Sequence, residues 1–213
     1  MVNPSSTANP VYPEKVLKIY QAVIQFFCSG SDLTSIKITD IAQSAEIGKG
    51  TVYEYFHSKE EMFLKSLIYA VEVIIEKISR ITERKSSFKD RLYAILQYLL
   101  DNQTERIALV RALTQKQVFS DEMHTLLREE CNRIDGLLDS CRNQLRGLLH
   151  DAVKEQVIPE LPNDFYWQMV LHGAISGLIF DQRPPSGSGS GSSLSQQEIM
   201  DNVYTLVVRS LQM

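Results

Sequence analysis

The 213-residue sequence sets 22 lysines and arginines against 26 acidic residues, a formal net charge of −4, so bulk charge gives no basic footprint of a nucleic-acid partner. The three cysteines, Cys28, Cys131 and Cys141, are odd in number and lack C-x-x-C spacing. Reduced, buried thiols are therefore expected rather than a disulfide framework. No charged-then-apolar leader and no apolar run of about 18 residues is present, which points to a cytoplasmic protein with no membrane partner.

From Glu14 to Ile158 the chain contains no proline, and apolar residues recur at helical spacing, so the expected fold class is all-α. Pro13 suits the first turn of a helix carrying Val16, Tyr20, Val23, Ile24 and Phe27 on one side, stopped by Ser29-Gly30-Ser31-Asp32. A short second helix turns Ile38, Ile41, Ala42 and Ala45 inward. The turn Glu46-Ile47-Gly48 then leads into a third helix from Lys49 to Phe56. Ser58 followed by Glu61 has the spacing of a capping box and opens a long fourth helix, with Leu64, Leu67, Ile68, Val71, Ile75 and Ile78 inward.

Further helical patterns cover Phe88 to Leu100, Glu105 to Gln115 and Asp121 to Val157, and Pro159 with Pro162 breaks the last of them. Two helices follow, from Asn163 to Phe180 and from a second capping box at Ser195 and Glu198. The tract between them, within 184–194, alternates glycine and serine, cannot bury apolar surface and reads as a flexible loop. Its regularity resembles a laboratory linker, and native and engineered origins both fit. About nine helices result. The expected division is 1–58 for a three-helix head and 59–213 for a larger helical domain.

The second and third helices have the layout of a helix-turn-helix, whose second helix must turn apolar residues to its own domain and small or polar ones to the major groove. At about 100° per residue, Val52 and Phe56 point to the side where Ile41, Ala45 and Ile47 can meet them. Gly50, Thr51 and Glu54 point away, with Lys49 and Tyr53 on one flank and Tyr55 on the other. Gly50 permits close approach to the groove. Thr51 can donate to a base or touch a thymine methyl, and Lys49 can reach a phosphate or a guanine. Tyr53, Tyr55 and Lys59 suit phosphates, which fix position rather than sequence. Glu54 either accepts from a cytosine amino group or repels phosphates. The plain alternative is a trihelical core whose tyrosines only pack.

The run Ile38-Thr39-Asp40-Ile41-Ala42, continued by Gly48-Lys49-Gly50-Thr51-Val52-Tyr53-Glu54-Tyr55-Phe56-His57-Ser58-Lys59-Glu60, resembles the N-terminal signature of the tetracycline-repressor (TetR) family. The resemblance reaches from the first helix to the start of the fourth. It implies that Lys49, Gly50, Thr51, Tyr53, Tyr55 and Lys59 contact DNA, with Thr39 beside them. It also implies a homodimer on a near-palindromic double-stranded operator, released by a small, apolar or amphipathic effector. The sequence departs from the family pattern in the turn. Glu46 replaces the usual glycine and must accept strain if φ is positive, and Gly48 stands where a capping serine is common. Lys37 replaces a Ser or Thr cap at the start of the second helix but offers a phosphate contact. Residues 1–60 hold five lysines and six acids, so positive charge is local to Lys37, Lys49 and Lys59.

Enzyme readings find no support. Gly48-Lys49-Gly50-Thr51 looks like half of a phosphate loop, but position 43 is Gln where the motif needs glycine. His57, His124, His150 and His172 are scattered without zinc-site spacing, and no G-x-S-x-G elbow is present, so no metal, cofactor or catalytic residue is expected. Tyr93, Tyr98, Phe119, Met123, His124, Trp167, Met169 and His172 form a mixed aromatic and polar set suited to an effector pocket, with core packing as the alternative. Gly173, Ala174 and Gly177, with Val203 and Leu206 on the last helix, suit a two-fold four-helix dimer interface. The other reading of the whole chain is a helical ligand-binding or adaptor protein without DNA function.

Overall fold

A computed structural model describes residues 12–29, 35–84, 86–102, 121–180 and 194–212. Among these, eight helices occur: α1 (Glu14–Cys28), α2 (Ile38–Ser44), α3 (Lys49–Tyr55), α4 (Lys59–Thr82), α5 (Phe88–Asp101), α6 (Asp121–Lys154), α7 (Asp164–Phe180) and α8 (Gln196–Leu211). The fold is all-α, as the periodicity predicts. The expected helix from Glu105 to Gln115 and the Gly/Ser tract lie outside the described residues. No described helix is long and apolar enough to cross a membrane.

Two hydrophobic cores organise the helices. The first gathers the inward faces of α1 to α3, including Ile19, Val23, Phe27, Ile41, Val52 and Phe56, with the first half of α4 and Met123 of α6. The second gathers Ile78 and Ile81 of α4 with α5, the C-terminal half of α6, α7 and α8, around Leu96, Leu149 and Trp167. The first core therefore crosses residue 58, the expected domain boundary. Both α4 and α6 run through both cores. At about 1.5 Å per residue, the 34-residue α6 has the length to do so.

Polar ties fix α4 and α6 where they meet the head. Tyr12 donates its hydroxyl to Glu72 of α4 at 2.6 Å, and Arg133 of α6 donates Nε to the same carboxylate at 2.9 Å. Arg133 also reaches the Tyr12 hydroxyl. The Tyr12 ring stands edge-on to Tyr20 and Tyr69, and Tyr20 touches Phe56 at the end of α3. Burial, followed by the hydrogen bond to Glu72, pushes the Tyr12 hydroxyl well above the ordinary tyrosine range. A second knot closes the other end of the molecule. Buried Arg91 donates to the Thr82 carbonyl and to Asp151, each at 3.0 Å, while the Glu155 carboxylate accepts the Phe88 N–H at the start of α5.

The caps follow their sequence signals with one shift. Ser58 accepts from the Glu61 N–H at 3.1 Å, but the Glu61 carboxylate reaches past Ser58 to the His57 N–H at 2.6 Å and also pairs with Lys65. Ser195 and Glu198 form the full reciprocal box. The expectation of three buried thiols needs correction. Cys131 is exposed and the other two are half-buried, because α6 is amphipathic and position 131 falls on its outer face. Burial pushes the Cys141 thiol up.

The turn between α2 and α3 carries the strain its sequence implies. Glu46 has φ 57, and the Ile47 and Glu46 amides donate to the Ala42 and Gln43 carbonyls, the pairing of a Schellman ending. Only glycine takes this conformation without cost. Gln156 ends α6 in the same way, with φ 60 and bonds from Val157 and Gln156 to Ala152 and Val153, a repetition that no glycine or proline signals in advance.

Glu46→Gly should raise unfolding stability by about 0.5–1 kcal/mol, the relief of a left-handed non-glycine residue less the extra chain entropy of glycine. Chemical denaturation read by circular dichroism checks this, and no change or a loss would contradict it. A pH dependence follows from Glu61. Burial alone would raise its carboxyl, but hydrogen bonds from Lys65 and the His57 amide hold it below its ordinary 4.5. Such a lowered group adds stability above its unfolded value and loses it as pH falls through the folded value. Thermal midpoints of the wild type and Glu61→Gln should therefore differ at pH 7 and converge below pH 4.5. An unchanged gap at pH 3 would contradict this assignment.

Candidate nucleic-acid interface

The head presents α3 because its own core needs only one side of that helix. Val52 is buried, and Phe56 behind it closes the core against Tyr20. Everything opposite is open. Lys49, Gly50, Tyr53 and Glu54 are exposed, and Thr51 and Tyr55 are half-buried, with Tyr55 packed partly on the first core. The α3 helix starts at Gly48, which has an extended backbone and no capping side chain. The space around Gly48 is ordinary, since an added Cβ would meet only Thr51 Oγ1 at 3.9 Å.

The cations are arranged around this face. Lys49 Nζ lies 5.8 Å from the Tyr53 ring centroid and Lys59 Nζ 5.3 Å from that of Phe63. Each ammonium is thus held near an apolar ring while remaining able to turn toward an anion. Lys37 is exposed ahead of α2 and caps nothing with its side chain, while its N–H donates to Asp40 at 3.1 Å. Thr39 is exposed, with its hydroxyl 3.3 Å from Asp40. The eight residues expected at DNA therefore belong to one segment, running from the start of α2 to the start of α4, and none is buried.

The described residues expected around an effector are spread through the fold. Met123 lies in the first core, Trp167 in the second with its Nε1 donating to Asp164 at 3.1 Å, and Tyr98 packs partly on the second. Tyr93 sits at the α5–α8 seam, bonded to Asp201 and edge-on to Tyr204, with Lys89 over both rings. His124 and His172 are exposed, and Phe119 lies outside the described residues. A separate open cleft of about 500 Å³ is lined by Thr82, Arg84, Ser87, Arg91, Asp151 and Glu155, among others. None of the expected pocket residues is among its walls.

The expected interface residues divide between two faces. Gly173, Gly177 and Leu206 are exposed and Val203 is half-buried, but Ala174 is only 5% exposed and packs in its own subunit's core. The α7 helix is apolar nearly all round, so periodicity does not distinguish its inner face from its outer one. Sequence reasoning missed Phe165, which stands 76% exposed on α7, with Met169, a residue of the mixed aromatic and polar set, at 56%. Their i, i+4 spacing, continued toward Gly173, was a legible signal of one stripe. It also missed the Tyr12–Glu72–Arg133 tie, whose members are too far apart in the chain for any local pattern to link them.

Comparison with known proteins fits this geometry. Residues 22–65 match the family described as bacterial regulatory proteins, tetR family. The nucleoid occlusion factor SlmA of Aliivibrio fischeri (strain MJ11) is 26% identical over 128 residues, 60% of this chain and 64% of that protein, so the match spans less than two thirds of the relative. The fatty acid degradation regulator FadR from Bacillus halodurans superposes with a TM-score of 0.65 at 14% identity, covering 95% of this chain and 97% of that one. FadR from Bacillus subtilis, solved in complex with stearoyl-CoA, gives 0.63 at 16% identity over 92% and 98%. At such identities the structures speak for the fold alone. The N-terminal helix-turn-helix segment, residues 22–65, thus matches the tetR family of bacterial regulatory proteins, and the whole chain shares the all-helical fold of these solved regulators.

Proposed function

We propose that this chain is a homodimeric transcriptional repressor that reads a near-palindromic operator with α3 and leaves it when a small effector binds. The observation that carries the reading is the open face of α3 opposite buried Val52, set in the segment that matches the family. Gly50 sharpens it. An added Cβ there meets nothing within 4 Å, so the protein's own packing does not call for glycine. A duplex approaching α3 closely would.

Thr51 is assigned to a base edge, and Lys37, Thr39, Lys49, Tyr53, Tyr55 and Lys59 to the groove margin and phosphates. Two heads would meet successive major grooves about 34 Å apart. The second copy would cover the outer face of α7 and α8. Phe165, Met169 and Leu206 are large apolar side chains left in water there, and Gly173 and Gly177 leave room for a helix to approach. A monomer at micromolar concentration would contradict that interface.

The effector is assigned to the C-terminal helices, residues 59–213, and to an apolar or amphipathic class. The stearoyl-CoA held by Bacillus subtilis FadR, a protein of the same fold, supports this class. Because α4 and α6 run through both cores, a ligand favouring another arrangement of the second core biases the head. By linkage, operator DNA then weakens the ligand equally.

Fluorescence-anisotropy titration of the purified dimer with the DNA upstream of its own gene, at low salt, tests the reading. Selective binding is expected. Thr51→Ala should reduce discrimination at one base pair by about 1 kcal/mol, whereas Lys59→Ala should weaken all sequences alike and flatten the salt slope by about one unit. Equal affinity for upstream and scrambled duplexes would overturn it.

A further inference from the structure

Glu54 is the one residue of α3 whose chemistry opposes the task of that helix. At about 100° per residue, it falls almost diametrically opposite the mean direction of Val52 and Phe56, at the centre of the exposed face and between Gly50 and Thr51. It is exposed, and among the described residues it makes no hydrogen bond and no ion pair. Helical spacing within α3 offers it no cation, since positions 50 and 51, one turn before it, are Gly and Thr and the helix ends at Tyr55. Lys49, the other charged residue on α3, lies against Tyr53.

A carboxylate so placed enters a groove walled by phosphates without an internal counter-charge. It weakens binding to every duplex that offers it no donor. The major groove holds two exocyclic amino donors, on cytosine and adenine. Adenine sets its donor beside the acceptor N7, which repels the second carboxylate oxygen. Cytosine presents its N4 amino group with no acceptor on the same base edge.

We propose that Glu54 determines operator specificity by accepting a hydrogen bond from a cytosine N4 amino group in each half-site and by rejecting duplexes that lack cytosine there. This rests on the assignment of α3 to the major groove. Specificity then comes as much from repulsion of wrong sites as from attraction to the right one. It also suits a head whose first 60 residues carry one net negative charge, because a weak general attraction to DNA leaves a single repulsive contact decisive.

The test is selection from a randomised duplex library by the full-length protein, with Glu54→Ala and Glu54→Gln beside it. The wild type should fix one cytosine per half-site, and replacing that base should weaken it about tenfold. Glu54→Ala should lose that penalty to within about twofold and bind random duplex several-fold tighter. Glu54→Gln, which can pair with the adenine edge, should shift the selected base from cytosine to adenine. Retention of the full cytosine penalty by Glu54→Ala, or a wild-type site with no fixed cytosine, overturns the role of Glu54 and leaves α3 as the reading helix. Enrichment of no sequence at all by the wild type overturns the DNA-binding reading itself, and this one with it.

Discussion

The structure depends on α4 and α6 lying together through both hydrophobic cores. Separate head and body domains joined by one linker would move independently. Here Met123 of α6 belongs to the same buried cluster as the head residues, and α4 carries Met62, Phe63 and Leu64 in the first core and Ile78 and Ile81 in the second. The Glu72 carboxylate is the pin. It is largely buried between α4 and α6 and accepts from both Tyr12 and Arg133. Losing either donor would leave it poorly compensated in a low-dielectric site, so the three residues hold one geometry. Tyr20, raised to about 12 mainly by burial, extends the same cluster toward Phe56 and α3.

This arrangement would give a physical form to the proposed communication between the ends. A shift of α6 relative to α4 would disturb the head, because Tyr12 is bonded both to Glu72 of α4 and to Arg133 of α6. Close-packed cores answer such shifts by switching between discrete arrangements rather than by bending smoothly. At the far end, Arg91 ties the end of α4, the start of α5 and the end of α6 through Thr82, Asp151 and Glu155. The second core is thereby anchored to the same two helices that reach the head.

Much of this was legible in the sequence, for identifiable reasons. The inward faces of α1 to α3 followed helical periodicity because each of those helices buries one side only. The strain at Glu46 was legible because the ending of α2 requires a left-handed residue whatever side chain occupies it. The outward set on α3 followed by simple rotation from Val52. Sequence reasoning failed where that asymmetry disappears. On α7, apolar residues on all sides hid which of Gly173 and Ala174 faces inward. The described aromatic and polar residues suggested for a pocket are spread over three helices, and composition alone cannot tell a pocket lining from a seam such as Tyr93 against Tyr204. The Glu72 pin joins residues 60 and 61 positions apart, a relation set only by tertiary packing.

In the proposed reading, α3 meets DNA and the head and α6 respond as one body. Amide hydrogen exchange of the full-length protein, with and without its operator duplex, measures both at once. DNA should slow exchange in α3, and the slowing should extend to the N-terminal half of α6, around Met123 to Leu137, which shares the first core. Slowing confined to α1–α3, with α6 unchanged, would contradict the coupling, and no slowing at α3 would contradict the interface.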